Sequence, residues 1–181
     1  MWKQIYAELF YALTRRYSDT IVASFAGHIH MDDFRLLGDD NGYYGFVLVT
    51  PALSPIYGQN PSFRTVTSDG AGGILDQTTC ELANLREAVD GAPPTWRAEY
   101  TFTQAWQLPR IDLSSLTQLY ARTADVPSDG DRWHTFLPVS SPVYWSTNLG
   151  EAARRGALAY RCADGHVLLP EYARCYCGGG G

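Results

Sequence analysis

Phe25-Ala26-Gly27-His28-Ile29-His30-Met31-Asp32-Asp33-Phe34 is the stretch around which the rest of the chain is organised. It holds two of the four histidines in the protein, two residues apart. An apolar run, Ile21-Val22-Ala23-Ser24-Phe25, leads into it, and Gly27 interrupts that run just before the first imidazole. The pattern predicts a buried strand that ends by presenting two histidines. In an extended segment residues i and i+2 point the same way, about 6.5–7 Å apart along the chain. That spacing suits ligands to two neighbouring metal ions, which in binuclear sites lie ~3.5–4 Å apart. Gly27 would let the backbone turn and approach the metals without a Cβ clash.

Upstream, Trp2, Ile5, Tyr6, Leu9, Phe10, Leu13 and Tyr17 recur at three- and four-residue spacing, the signature of an amphipathic helix. Arg15 and Arg16 fall in its last turn, where cations suit the helix dipole. A helix feeding a strand that ends in ligands is half of an α/β unit, with the site at the strand's carboxyl end. Downstream, Phe34 to Leu37 and Tyr44 to Thr50 flank the turn cluster Gly38-Asp39-Asp40-Asn41-Gly42, which predicts an antiparallel hairpin. Pro51, Pro55 and Pro61 stiffen the loop that follows. Ser62 to Thr67 reads as a strand, Asp69 to Gly73 as a turn and Gly73 to Asp76 as a return strand, whereas Thr78 to Leu85 fits strand or helix.

Gly91-Ala92-Pro93-Pro94 marks a boundary, after which Trp96, Ala98, Tyr100 and Phe102 alternate as one more strand. Beyond it the period turns helical. Asp112 or Ser114 can cap a helix with Leu116, Leu119 and Tyr120 inward, and Ser128 or Asp129 one containing Trp133, Phe136 and Leu137. Residues 150–163 and 167–175 read as two further short helices, and Gly178 to Gly181 as a disordered tail.

The 181 residues fit one domain with a sizeable core. A net charge of −5 and a pI near 5.2 argue against a general nucleic-acid binder, which needs a basic face. No run of about 18 apolar residues predicts a membrane span. Met1-Trp2-Lys3-Gln4 opens a helix-like pattern rather than a signal peptide. Three of the four cysteines, Cys162, Cys175 and Cys177, crowd the C-terminus, which favours a local staple over a catalytic thiol. Asp69-Gly70-Ala71-Gly72-Gly73 is not a phosphate cradle, because no helix start with Lys-Ser/Thr follows it. His134 and His166 lie in the helical tail without ligand spacing and read as structural.

Gly27-His28-Ile29-His30 resembles the last metal-binding motif, Gly-His-x-His, of the calcineurin-like metallophosphoesterases. Arg16-Tyr17-Ser18-Asp19 before it, Asp32-Asp33-Phe34 after it, and Thr50-Pro51-Ala52-Leu53-Ser54-Pro55-Ile56-Tyr57-Gly58-Gln59-Asn60-Pro61-Ser62-Phe63-Arg64 beyond narrow the resemblance to the acid sphingomyelinase-like branch. The resemblance fades after about Asp125. It implies an α/β fold, α+β as truncated: the C-terminal part of a metallophosphoesterase β-sandwich with flanking helices, then a small helical subdomain. The expected divisions are 1–104, 105–177 and the glycine tail 178–181. It favours a strand for Thr78 to Leu85.

The same resemblance implies zinc as cofactor, with His28 and His30 as ligands. Asp32 and Asp33 are expected to be partners that hold an imidazole's other N–H, or else solvated turn carboxylates. Tyr57 and Asn60 fall where it puts the wall of the substrate pocket, with Tyr57 facing the imidazoles; a structural loop tyrosine is the alternative. Arg64 would pair a phosphate bidentately, or serve as an ion-pair residue of an alternating strand. Cys162 and Cys175 are expected to form a disulfide, because they flank a turn at Asp164-Gly165-His166 and the family carries cysteines in similar helical tails; Cys80 and Cys177 stay unassigned.

The family also uses an early Asp-x-His, a Gly-Asp-x-x-Asp, a Gly-Asn-His-Asp/Glu and a further His ahead of Gly-His-x-His. None of these precedes Gly27 here. Three readings stay open: a C-terminal fragment of a secreted, periplasmic or lysosomal-type phosphodiesterase; a non-catalytic module binding a head group or partner; and a metal-binding subunit that completes its site with another chain. The partners implied are a phosphodiester substrate, lipid head group or nucleotide, the missing first half of the catalytic domain, and a peripheral contact with a membrane surface. Weak zinc binding at most, no turnover and poor solubility are expected of the chain alone.

Overall fold

Two apolar strands on either side of Asp40-Asn41 form the hairpin that anchors the fold. In the computed structural model, which describes residues 3–30, 32–56, 60–122, 158–159 and 161–178, these strands are β2 (Asp33–Asp39) and β3 (Gly42–Val49). Asn41 N–H donates to Asp39 Oδ1 at 2.8 Å, and Gly42 takes a φ of 120° that a side chain would resist. β1 (Ser24–Ala26) adds to the far side of β3, in parallel, so the sheet order is β1-β3-β2. The second sheet is antiparallel, β4 (Ser62–Ser68), β5 (Ile74–Leu82) and β6 (Trp96–Thr101), in chain order. The ambiguous stretch from Thr78 is therefore strand through Leu82, continuous with the return strand from Ile74. The whole is a mixed α+β arrangement of helices and two small sheets.

One face of the β2–β3 hairpin builds the core. Phe34, Leu36, Phe46 and Leu48 pack with Ile74, Tyr100, Phe102 and Trp106, and with Ile111, Leu116 and Leu119. The last residues come from α3 (Phe102–Trp106), its outgoing loop and α4 (Leu113–Arg122). Asp112 caps α4, its Oδ1 accepting from Ser115 N–H at 2.8 Å, and Leu116 and Leu119 are inward as their period requires. The other face takes α1 (Gln4–Arg16), α2 (Leu85–Val89) lying apart between β5 and β6. Tyr11 packs there with Leu37 and Val47. A Cβ on Gly45 would meet Thr14 Cγ2 at 2.8 Å, so the helix sits directly on the strand where no side chain intervenes.

Two expectations need correction. The apolar stripe of α1 is not its buried face: Ala7, Tyr11 and Thr14 are buried, while Ile5, Tyr6, Leu9 and Leu13 are each more than half exposed. The run before the histidines is not a buried strand either. Of the run only Ser24 and Phe25, with Ala26 after it, pair, and along one edge only; Val22 and Phe25 are each more than half exposed. The reason is common to both: α1 and β1 form the outer flank of the first sheet, and the hairpin's needs decide which side of each is covered.

The disulfide Cys162–Cys175 is present, with Cα atoms 5.7 Å apart. It ties the helical residues 161–165 to α5 (Leu169–Cys177). Cys80 and Cys177 are free thiols. The helix expected around Trp133 lies outside the described residues, as do the last three glycines.

Candidate functional site

The histidine turn spans the top of β3. Ala26 of β1 and Asp33 of β2 are both register partners of Val49, the last residue of β3. The two ends of the turn are thus held about two strand spacings apart, roughly 10 Å. Residues 27–32 could stretch to about 20 Å if extended, so they must fold up to close that gap. They do so through left-handed backbone at His28, φ 88°, and at His30, φ 63°. An extended His-x-His with parallel imidazoles is therefore not what forms. Gly27 does not take the left-handed turn, and a Cβ there would meet nothing within 4 Å, so its expected role passes to the histidines themselves. Non-glycine residues held in that region cost on the order of 1–3 kcal/mol each and cluster at functional sites. His28 is exposed and His30 half-buried.

Asp32 and Asp33 point to opposite sides, as neighbours entering a strand do. Asp32 is 3 % exposed and receives donors from all three strands of the second sheet. Arg64 Nη2 and Thr79 Oγ1 donate to its two oxygens, and Tyr100 Oη donates to Oδ2 at 2.7 Å. These three residues form one cross-strand row, since Arg64 pairs with Thr79 and Thr79 with Tyr100. Arg64 Nη2 also donates to the Val49 carbonyl at 3.1 Å. With its side chain 2 % exposed and its charge against Asp32, Arg64 takes the ion-pair alternative. Burial pushes the Tyr100 phenol well above its ordinary range, with the Asp32 charge adding to it.

Asp33 faces the C-terminal segment instead. Arg35 Nη1 bridges it to Asp164 Oδ1, 2.7 Å away, and Asp33 Oδ1 accepts from Phe34 N–H at 2.8 Å. Burial raises the Asp33 carboxyl against the pull of Arg35. Asn60 Nδ2 donates to Glu81 Oε2 at 3.2 Å, and Arg97 holds Glu81 Oε1. Tyr57, and with it the expectation that it faces the imidazoles, lies outside the described residues.

Thr79, Tyr100, Glu81 and Glu99 escaped sequence reasoning as members of this layer. The register of β5 and β6 shifts between Thr79 and Cys80: Thr79 pairs with Tyr100 but Cys80 with Ala98. Glu99 is the extra residue of that bulge, and bulges re-aim side chains. The alternation Trp96, Ala98, Tyr100 consequently does not share a face; Trp96 is exposed and Tyr100 buried. Both Glu99 oxygens are buried without a hydrogen-bond partner among the described residues. Burial first, then the charges of Glu81 and Asp32, push its carboxyl up to about 9. An unusually carboxylate-rich pair of inward strands, Glu81 and Glu99, was the available signal.

A cavity of about 580 Å³ lies at the other end of the hairpin, lined by Asp39, Tyr43, Tyr120, Arg161, His166 and Arg174 among others. His28 and His30 are not part of it. Burial, with the neighbouring Arg161 and Arg174, pushes the His166 imidazole below its ordinary range.

Imidazole nitrogen is a suitable donor for zinc, but a zinc site needs three or four protein ligands. Among the described residues no group of three or more His, Cys, Asp or Glu side chains is arranged to hold a metal ion. Among the described residues the two histidines therefore do not make up a complete zinc site.

No family model matches the chain. Curated relatives do. A mouse (Mus musculus) acid sphingomyelinase-like phosphodiesterase 3b is 28 % identical over 96 % of this chain and 39 % of its own length. A rat (Rattus norvegicus) cyclic GMP-AMP phosphodiesterase, SMPDL3A, is 34 % identical over 70 % of this chain and 30 % of its own. A Dictyostelium discoideum sphingomyelin phosphodiesterase B is 32 % identical over 59 % of this chain and 18 % of its own. The chain is thus similar to phosphodiesterases of the acid sphingomyelinase-like branch. It spans about two fifths or less of the length of these proteins.

Proposed function

We propose that this chain is the portion of a metal-dependent phosphodiesterase that supplies two imidazoles, His28 and His30, to a metal site completed by other polypeptide. The observation that carries this reading is the pair of left-handed histidines on Gly27-His28-Ile29-His30, in a chain similar to sphingomyelin and cyclic GMP-AMP phosphodiesterases. The whole protein would hydrolyse a phosphodiester of a lipid head group or a nucleotide, with zinc as its metal. Among the described residues no helix is long and apolar enough to cross a membrane, and a disulfide suits an oxidising, secreted or lysosomal-type compartment. Asn60 and Tyr57 would border the substrate, and Asp32 would act on the ligands from behind.

Purified chain, assayed with bis(p-nitrophenyl) phosphate and added zinc beside the His28→Ala/His30→Ala double variant, tests this. Weak zinc binding that the double variant lacks, with no turnover by either, is expected. Turnover by the wild type that the double variant loses would mean that the chain, or an oligomer of it, builds a complete site, and would overturn the partial-site reading.

A further inference from the structure

We propose that Arg64, Thr79 and Tyr100 are positioning residues that hold the His28–His30 turn in its strained form by clamping Asp32. The inference deepens the reading of that turn as a ligand donor and rests on it, but its geometry stands apart from any metal. Residues 27–32 connect β1 to β2 on either side of β3, and among the described residues no strand pairing of the first sheet falls between Ala26 and Asp33. Asp32 is its last residue, and its side chain is held by the second sheet. Three donors from three different strands meet on one carboxylate, in a single cross-strand row. A row in register offers little freedom to slide, because moving one member disturbs its two neighbours.

Arg64 adds a second hold. The same Nη2 that meets Asp32 also meets the carbonyl of Val49, the residue to which both ends of the turn are registered. One guanidinium nitrogen thus fixes the end of the turn to the strand it crosses. Left-handed backbone at two histidines persists only where surrounding structure over-determines it. The clamp supplies that constraint from the second sheet, which the sequence places at least thirty residues away. It explains as well why an ion pair is kept in a buried place where desolvation offsets much of its attraction.

The test uses the 181-residue chain and three variants. Tyr100→Phe removes one O–H and keeps the ring; Thr79→Val removes another at nearly constant shape; Arg64→Lys keeps the charge but carries it on a shorter, compact ammonium head that does not reproduce the guanidinium's reach to Asp32 and the Val49 carbonyl. Backbone 15N relaxation of residues 27–32 and of β3, with the imidazole signals of His28 and His30, is the readout. In Tyr100→Phe the order parameters of the turn should fall from about 0.85 toward about 0.6 while those of Phe46 to Val49 stay rigid, and the imidazole signals should shift. Zinc affinity should weaken roughly tenfold, as when outer partners of metal ligands are removed. Unchanged order in the turn in all three variants overturns the proposal, as does a loss of order spread equally over β2, β3 and β5, which would make the row a general structural element. If wild type and the His28→Ala/His30→Ala variant bind zinc alike, the ligand reading fails, and the relaxation data still decide the clamp.

Discussion

Glu99 sits in the bulge of β6 with both carboxylate oxygens buried, beside the charges of Asp32 and Glu81. Its carboxyl is raised from 4.5 to about 9. Below pH 4.5 folded and unfolded chains are both protonated there, and the group makes no difference. Between pH 4.5 and about 9 the unfolded chain releases the proton and the folded chain keeps it, so stability falls as pH rises across that window. Glu99→Gln abolishes this dependence. In urea titrations its advantage over wild type should be small at pH 5 and grow to a few kcal/mol by pH 9, roughly as expected for a carboxyl raised by several pH units. A gap that does not change with pH would mean that Glu99 is solvated. The two strained histidines were invisible at this scale: Gly27 was the residue that seemed free to turn, and the distance to be bridged, not the glycine, decides where the left-handed residues fall.

At the scale of elements, the C-terminal segment reaches the first sheet through Asp164, whose Oδ1 meets Arg35 on β2. Cys162 is fully buried and joined to Cys175 on α5, a separation of 13 residues. A closed loop of this size contributes on the order of 3 kcal/mol by restricting the unfolded chain. Cys162→Ser should therefore lower the unfolding free energy by roughly 2–4 kcal/mol, and adding reductant to wild type should lower the melting temperature by a similar step. Equal melting with and without reductant would deny the bridge a stabilising role. This pairing was legible because two cysteines flank a short Gly-containing turn and because the family that the sequence resembles carries cysteines in similar helical tails. The bulge between Thr79 and Cys80 was not, since it is defined by two strands together and leaves no mark in either alone.

At the scale of the whole molecule, one flank carries exposed apolar side chains among the described residues. Ile5, Tyr6, Leu9 and Leu13 on α1 continue into Val22 and Phe25 around β1, all more than half exposed. Apolar patches of this kind mark interaction surfaces or association liabilities. The double variant Ile5→Glu/Leu9→Lys should keep its unfolding free energy within about 0.5 kcal/mol of wild type, because neither side chain is packed. Sedimentation should show less self-association. A loss of more than about 2 kcal/mol would mean that the stripe is covered after all.

Sequence alone determined the local elements: the first helix, the hairpin about Asp40-Asn41, a helix start at Asp112 or Ser114 and the strand from Ser62 each follow from interactions among residues close in the chain, the structure choosing Asp112 as the cap. It also pointed to His28 and His30 as the residues to watch. Which face of α1 is buried, where Asp32 and Arg64 point, and why two histidines turn left-handed were decided by tertiary structure. Each depends on which strand lies next to which and at what register, and a residue's own neighbours in sequence exert no force on that choice. Arg64, Thr79 and Tyr100 converge on one carboxylate because two antiparallel pairings bring them abreast, so the clamp exists in the sheet and in no segment of the chain.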